Sequence, residues 1–179
     1  MIRDKKNPDV VLLAILRMEP SESMKRKALT AWVNYVDIRN SYSPDKTLLE
    51  MIRGCGKEEE LVNILFGSRE YAKHSTQGRQ VVDALFKSWL DEKVHPSMAY
   101  DRLGFDKSAK DSFFGTRYEE WKRYVDMYNS NLQNPVSKAS ALMTAYGLSA
   151  HDLKKKLLRE YRKIAVIREI IVELEKLEK

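Results

Sequence analysis

The apolar residues of this chain recur every three or four positions over most of its length, which is the spacing of one face of an α-helix. The clearest examples lie in three segments: Leu48, Met51 and Ile52; Leu61, Ile64 and Leu65; and Val81, Val82, Leu85, Phe86, Trp89 and Leu90. The stretch from Leu153 to Leu177 is the longest candidate helix. Breaks are predicted at Gly54, Gly56, Gly78, Gly104 and Gly147. Helix-forming residues dominate between these glycines, so the sequence predicts an all-α fold.

Three short motifs predict where helices begin. Residues 43–45 (Ser-Pro-Asp) combine an N-cap residue, a proline for the first helical position and an acid for the first turn. Residues 134–135 (Asn-Pro) repeat the same logic. Ser149 and Asp152 have the spacing of a capping box, in which aspartate replaces the usual glutamate.

The sequence repeats itself at long range. The decapeptide from Trp32 to Ser41 (WVNYVDIRNS) returns 89 residues later, from Trp121 to Ser130, as WKRYVDMYNS. Flanking segments before and after the two decapeptides also correspond, at offsets of 87 and 91 residues. Three matched segments in the same order indicate a duplication, so we expect tandem helical-bundle repeats.

The residues that enzymes use do not form a recognisable site in this sequence. The three histidines, His74, His95 and His151, and the single cysteine, Cys55, give no zinc-ligand spacing, and a single cysteine forms no internal disulfide. Neither a phosphate-binding glycine loop nor the local signature of a nucleophile is present. No apolar run approaches the roughly 18 residues of a membrane span. We therefore predict no catalytic residue, no bound metal and no cofactor.

Three segments resemble a known family. Residues 80–89 (QVVDALFKSW) followed by residues 96–105 resemble the W motif of RXLR effectors from plant-pathogenic oomycetes. Residues 118–129 (YEEWKRYVDMYN) resemble their Y motif, and residues 47–71 resemble the L motif of the extended LWY unit. No Arg-x-Leu-Arg motif is present. The chain is thus similar to effectors that carry tandem WY or LWY units.

The resemblance implies an elongated rod of helical bundles, in which the motif tryptophans and tyrosines pack the helices together. An aromatic stripe at helical spacing is also typical of a core. The expected core residues are Trp32, Tyr35, Trp89, Trp121 and Tyr124, with Trp89 packed against the helix that carries Tyr124. The predicted organisation is a partial WY-like unit over residues 1–41 and a complete LWY-like unit over residues 42–132. Residues 133–179 are predicted to form L-motif-like helices that end in a long C-terminal helix.

The resemblance also implies a function. It predicts an effector that the pathogen secretes and translocates into the cytoplasm or nucleus of a host cell, where it suppresses immunity by binding a host protein. The scaffold subunit of a 2A-class phosphatase is a partner that some tandem LWY effectors recruit. A second hypothesis, a basic module that binds nucleic acid, rests on the net charge of +6 and the isoelectric point near 9.3. No named nucleic-acid-binding motif supports it.

Two surfaces of the last predicted helix are candidates for contact with a partner. Four basic residues share one face, and this face is either solvated or a docking patch: Lys155, Arg159, Arg162 and Lys163. The apolar positions 164, 167, 171 and 174 form a seam with alternating spacings of three and four residues. This seam either docks against its own chain or pairs with a second copy to form a homodimer.

Overall fold

A computed structural model describes residues 8–17, 21–42, 48–66, 75–107, 115–130, 134–161 and 165–178. Within these ranges the chain forms ten α-helices and no β-strand, which confirms the all-α prediction. The helices are α1 Pro8–Arg17, α2 Glu22–Tyr42, α3 Leu48–Cys55, α4 Glu58–Phe66, α5 Thr76–Asp91, α6 Pro96–Arg102, α7 Gly115–Asn129, α8 Lys138–Tyr146, α9 Ala150–Tyr161 and α10 Ala165–Leu177.

The helices group into two compact units, Met1–Glu92 and Lys93–Lys179. The first unit holds α1 to α5 and the second α6 to α10, so each unit has five described helices in the same order. In the first unit α1 packs against α2 and α3, and α3 packs against α5. In the second unit α6 packs against α7 and α8, and α8 packs against α10. The same contacts in the same order indicate two copies of one helical motif.

These compact units begin at a different point of the repeat from the predicted domains. The predicted boundaries, which separate residues 1–41, 42–132 and 133–179, describe another phase of the same repeat and stay a prediction. The contacts instead divide the chain between Glu92 and Lys93.

The core of the first unit forms where α2 and α5 each bury one helical face. On α2 the buried residues follow the spacing of such a face: Leu29, Trp32, Val33 and Val36. On α5 they are Val81, Val82, Leu85, Phe86 and Trp89. Burying one large apolar side chain stabilises a fold by about 1.5–3 kcal/mol, so these two faces supply much of the packing energy of the unit.

The core of the second unit is rich in aromatic rings. The ring of Tyr100 on α6 stacks on Phe105 with centroids 4.1 Å apart, and it meets the ring of Trp121 edge-on at 5.4 Å. The hydroxyl of Tyr100 lies 3.0 Å from that of Tyr146 on α8. Tyr118 packs beside Trp121 on α7 at 5.5 Å. These contacts join α6, α7 and α8 through one cluster of rings.

The structure confirms one predicted helix start. Ser149 precedes α9, and its hydroxyl oxygen accepts a hydrogen bond from the backbone N–H of Asp152 at 3.1 Å while donating to the Asp152 carboxylate at 2.6 Å. The capping box therefore forms, although the aspartate binds the hydroxyl rather than the backbone N–H of the cap residue. The predicted cap at residues 43–45 lies outside the described residues.

The start predicted at residues 134–135 is wrong. Helix α8 begins at Lys138, and its cap is Ser137, whose hydroxyl oxygen accepts from the N–H of Ser140 at 3.0 Å. The start of α8 is also tied to α10, because a carboxylate oxygen of Glu173 accepts a hydrogen bond from the N–H of Ala139 at 2.8 Å.

Two predicted glycine breaks have opposite outcomes. Gly147 ends α8 in the left-handed conformation (φ 64°), and the N–H of Leu148 returns to the carbonyl of Met143 at 3.1 Å. Gly78, by contrast, lies inside the first turn of α5 and causes no break there. Its N–H donates to the hydroxyl of Ser75 at 3.1 Å, which is an ordinary helix cap.

The prediction of one long C-terminal helix is wrong, because the segment forms two helices. Helix α9 ends at Tyr161 and α10 begins at Ala165. The ammonium of Lys154 lies 2.9 Å from a carboxylate oxygen of Glu175, whereas one straight helix would separate these residues by about 30 Å. The chain therefore turns back, and α10 packs antiparallel to α9 with Ile167, Ile170 and Leu174 buried.

Candidate partner-binding surface

In each unit the same hydrogen bond anchors the helix that carries the repeated tryptophan, which is α2 in the first unit and α7 in the second. The indole N–H of Trp32 donates to the carbonyl of Pro8 at 2.9 Å, and that of Trp121 donates to the carbonyl of Pro96, also at 2.9 Å. Both bonds are buried, and in both units the proline opens the short helix that packs on the tryptophan helix. The repeat found in the sequence thus corresponds to a repeated three-dimensional contact.

Four of the five predicted core residues are almost fully buried. Trp89, Trp121 and Tyr124 are 0% exposed and Trp32 is 2% exposed. The hydroxyl of Tyr124 donates to the carbonyl of Val94 at 2.7 Å, so its one polar atom is satisfied inside the second unit. Trp89 and Tyr124 belong to different units, and the predicted contact between them stays a prediction.

The expectation that Tyr35 lies in the core is wrong, because 37% of its surface is exposed. Its counterpart Tyr124 reaches the segment just before α6, where it finds the carbonyl of Val94. The corresponding segment of the first unit comes before Pro8 and lies outside the described residues. The buried face of α2 is instead formed around Trp32, and Tyr35 lies beside that face.

A polar residue of the repeated decapeptide has a structural role that the sequence reading missed. The side-chain amide of Asn129 donates to the carbonyl of Val136 at 2.8 Å and accepts from the N–H of Val136 at the same distance. Both bonds tie the end of α7 to the segment that leads into α8. The recurrence of asparagine in both decapeptides, as Asn40 and Asn129, was the signal that could have revealed it.

The predicted basic face lies partly on α9. Lys155 is exposed and Arg159 has a side-chain exposure of 77%, whereas Arg162 and Lys163 lie outside the described residues. Much of the neighbouring positive charge is neutralised within the unit. Lys156 lies 3.0 Å from a carboxylate oxygen of Glu160, and Arg159 lies 2.7 Å from the same carboxylate.

Helix α10 and the residue that follows it supply the other acids. The carboxylates of Glu175 and Glu178 lie 2.9 Å and 3.4 Å from the ammonium of Lys154, and the hydrogen bond with Glu175 is the main cause that raises the pKa of Lys154. On α9, the hydrogen bond with Arg159 is the main cause that lowers the pKa of Glu160. These opposite shifts mean that each group is stabilised in its charged form.

An open groove of about 430 Å³ lies beside these ion pairs. We call it the α9 groove, and it is lined by His151, Lys154, Lys155, Leu158 and Glu178. Leu158 is 42% exposed, although Leu153 and Leu157 on the same helix are fully buried. The groove therefore presents one apolar side chain among mainly basic ones.

Comparison with known proteins identifies relatives of this chain. An RxLR effector protein of Phytophthora infestans is 26% identical over 153 residues, which is 80% of this chain and 22% of that protein. RxLR effector protein PSR2 of Phytophthora sojae is 24% identical over 125 residues, or 69% of this chain and 19% of PSR2. The chain is similar in sequence to Phytophthora RxLR effector proteins. It spans about a fifth of the length of these RxLR effectors. No protein-family model matches the chain, and no solved structure matches it significantly.

The similarity to RxLR effectors agrees with the family resemblance found in the sequence, while the assignment of individual L, W and Y motifs stays a prediction.

None of the helices in the described ranges is long and apolar enough to cross a bilayer. The part of the chain that the structure describes also contains no group of three or more His, Cys, Asp and Glu residues placed to bind a metal ion. Burial raises the pKa of Tyr118 far above its ordinary value, so this phenol stays protonated in the core.

Proposed function

We propose that this chain is part of an effector that a pathogen secretes and that enters the cytoplasm or nucleus of a host cell, where it suppresses immunity. The observation that carries the proposal is the similarity, over 80% of this chain, to a protein named as an RxLR effector. In this proposal the chain acts by binding a host protein and not by catalysis. The exposed basic and apolar side chains of α9 support a binding role, because they form a surface that the fold itself does not use.

The first test measures both halves of the proposal in plant tissue. The tagged chain is expressed in leaves, and the oxidative burst that a bacterial elicitor provokes is measured. We expect a weaker burst, together with a host protein that co-purifies after nuclease treatment and binds the pure chain in a defined ratio. An unchanged burst, with no host protein that rebinds in purified form, would contradict the proposal.

A double variant locates the binding surface. Lys155→Glu combined with Arg159→Glu reverses two exposed charges on α9, and Lys87→Glu reverses an exposed charge on α5 as a matched control. We expect the double variant to lose the host protein and the control to keep it. Intact-mass measurement of the recovered host protein tests whether the chain modifies its partner, because an enzyme that acts on that protein would leave a covalent change or a cleaved product.

The scaffold subunit of a 2A-class phosphatase is the first partner to test, as the family resemblance implies. Titration calorimetry with the purified subunit measures this binding directly. Saturable heat would support that partner, and the absence of heat at two temperatures about 15 °C apart would remove it while leaving the general proposal open to other host proteins.

The homodimer is the alternative use of the C-terminal seam. Ile167, Ile170 and Leu174 are at most 2% exposed inside their own unit, so we expect the chain to remain a monomer. Sedimentation over a wide range of protein concentration tests this, since a dimer would dissociate on dilution. Binding to nucleic acid, the second hypothesis, would appear in the same experiments as a complex that nuclease destroys and that salt weakens steeply.

A further inference from the structure

The α9 groove joins an exposed leucine to basic side chains that lie on one helical face. His151, Lys155 and Leu158 follow the spacing of residues that are neighbours on a helix surface. Leu158 contributes little to the core, since 42% of its surface remains exposed while Leu157 beside it is fully buried. An exposed leucine of this kind is available to an external apolar group.

The basic residues of the groove differ in how much of their charge is already compensated. Lys154 is bridged to Glu175 and Glu178 and is therefore neutralised by α10. Lys155, by contrast, is exposed and forms no ion pair with any residue that the structure describes. Arg159, one turn further along α9 and not among the described residues that line the groove, binds Glu160 but keeps a side-chain exposure of 77%. Lys155 therefore supplies the positive charge of the groove that no described carboxylate compensates.

We propose that the α9 groove binds an acidic, amphipathic segment of a partner protein, with a carboxylate of the segment at Lys155 and an apolar side chain against Leu158. This inference rests on the proposed function, because it names the chemistry of the partner that the effector would bind. Charge complementarity favours the acidic segment, and the exposed leucine favours one with apolar side chains.

Two other classes of partner fit the groove less well. Single-stranded nucleic acid is bound by stacking bases on aromatic rings, and no aromatic side chain is among the described residues that line the groove. A lipid surface is bound by a broad apolar helix face, whereas this groove offers one leucine beside charged side chains. Both classes serve as competing arms of the test.

The test uses the full chain and a fluorescent synthetic peptide. In this peptide leucine recurs every three or four residues, so that the leucines share one helical face, and glutamate occupies the other face. Two matched peptides replace every glutamate by lysine or every leucine by serine. We expect the acidic amphipathic peptide to raise the anisotropy at the lowest concentration of chain, and the other two peptides to bind at least about tenfold more weakly. Added salt should weaken the binding of the acidic peptide because it screens the charges.

Two variants in the groove have matched controls elsewhere on the surface. Lys155→Glu should weaken binding by about threefold to tenfold, as expected for reversal of one exposed charge, and Leu158→Ser by about fivefold or more. Lys87→Glu on α5 and Met98→Ser on α6 change an exposed lysine and a 52% exposed apolar residue outside the groove and should leave binding unchanged. Lys155→Glu should also gain affinity for the lysine-containing peptide, a gain that misfolding would not produce.

Equal binding of the acidic and basic peptides, or equal effects of the groove and control variants, would overturn the inference. Tighter binding of a labelled RNA, or of phosphatidylserine vesicles, than of the acidic peptide would overturn it as well. If a host protein still binds the chain that carries Lys155→Glu and Leu158→Ser together, the α9 groove is refuted while the proposed function stands. If no host protein binds the unchanged chain, the proposed function fails instead.

Discussion

Replacing Trp121 by phenylalanine tests the tryptophan–proline hydrogen bond, which occurs once in each of the two units. The substitution keeps an aromatic ring in the core but removes the indole N–H that donates to the carbonyl of Pro96 at 2.9 Å. It also removes part of the ring that packs between Tyr100 and Tyr118. Trp121 is 0% exposed, so neither loss is compensated by solvent.

The expected magnitude is the sum of two effects. Losing a buried hydrogen bond costs about 0.5–1.5 kcal/mol, and the smaller ring leaves a cavity that costs about 1–2 kcal/mol more. A total of about 1.5–3.5 kcal/mol would lower the melting temperature of a unit of this size by about 6 °C or more, at roughly 4–8 °C per kcal/mol. Trp121→Ala should cost more, about 3–5 kcal/mol, because it empties the whole site.

Urea unfolding followed by circular dichroism, with tryptophan fluorescence as a second probe, measures these costs. Trp32→Phe is the matched variant in the first unit, because Trp32 makes the same bond to Pro8. We expect the two phenylalanine variants to lose similar stability, and Lys87→Ala on the surface to lose less than about 0.5 kcal/mol. A cost below that level for Trp121→Phe would refute the role of the hydrogen bond. A large cost at one tryptophan and none at the other would refute the equivalence of the two units.

Three further outcomes follow from single side chains. Trp89→Ala should lower the melting temperature substantially because Trp89 is fully buried, whereas Lys155→Ala should leave it nearly unchanged; similar small shifts for both would contradict the core position of Trp89. Asn129→Ala should cost about 1–3 kcal/mol in urea unfolding because it removes two hydrogen bonds to one loop residue, and Asn129→Asp, which keeps only the acceptor, should retain part of that stability. The hydrogen bond from Arg159 lowers the pKa of Glu160 below its ordinary value, so its small contribution to stability is present above the ordinary pKa and disappears as the pH falls through the lowered one. Melting curves of Glu160→Gln should therefore differ from those of the unchanged chain at neutral pH and converge with them in acid, and a difference that persists in acid would contradict this assignment.

The sequence by itself determined the helical class and the duplication. Helical spacing of apolar residues is a local property, and it places Trp121 and Val125 on one buried face whatever the neighbouring helices are. The duplication could be recognised because the two units pack their helices with the same residue types at corresponding positions. Trp32 and Trp121, for example, occupy the same position of the repeated decapeptide. The helix start at Ser149 and the helix end at Gly147 could also be predicted from the sequence, because hydrogen bonds within a few residues define a helix end.

Only the tertiary structure decided where the C-terminal segment folds back and which side chains stay exposed. No proline or glycine interrupts the sequence between Leu153 and Leu177, and its helical periodicity continues across the gap between α9 and α10. The antiparallel packing of α9 and α10 is favoured by contacts between residues far apart in the sequence: α10 buries Ile170 against its own unit, and Lys154 pairs with Glu175. The same pairing compensates the positive charge of Lys154 beside the basic face. Local spacing brings positive residues together on one helix and pairs Lys156 and Arg159 with Glu160, but only the approach of a second helix pairs Lys154 with Glu175.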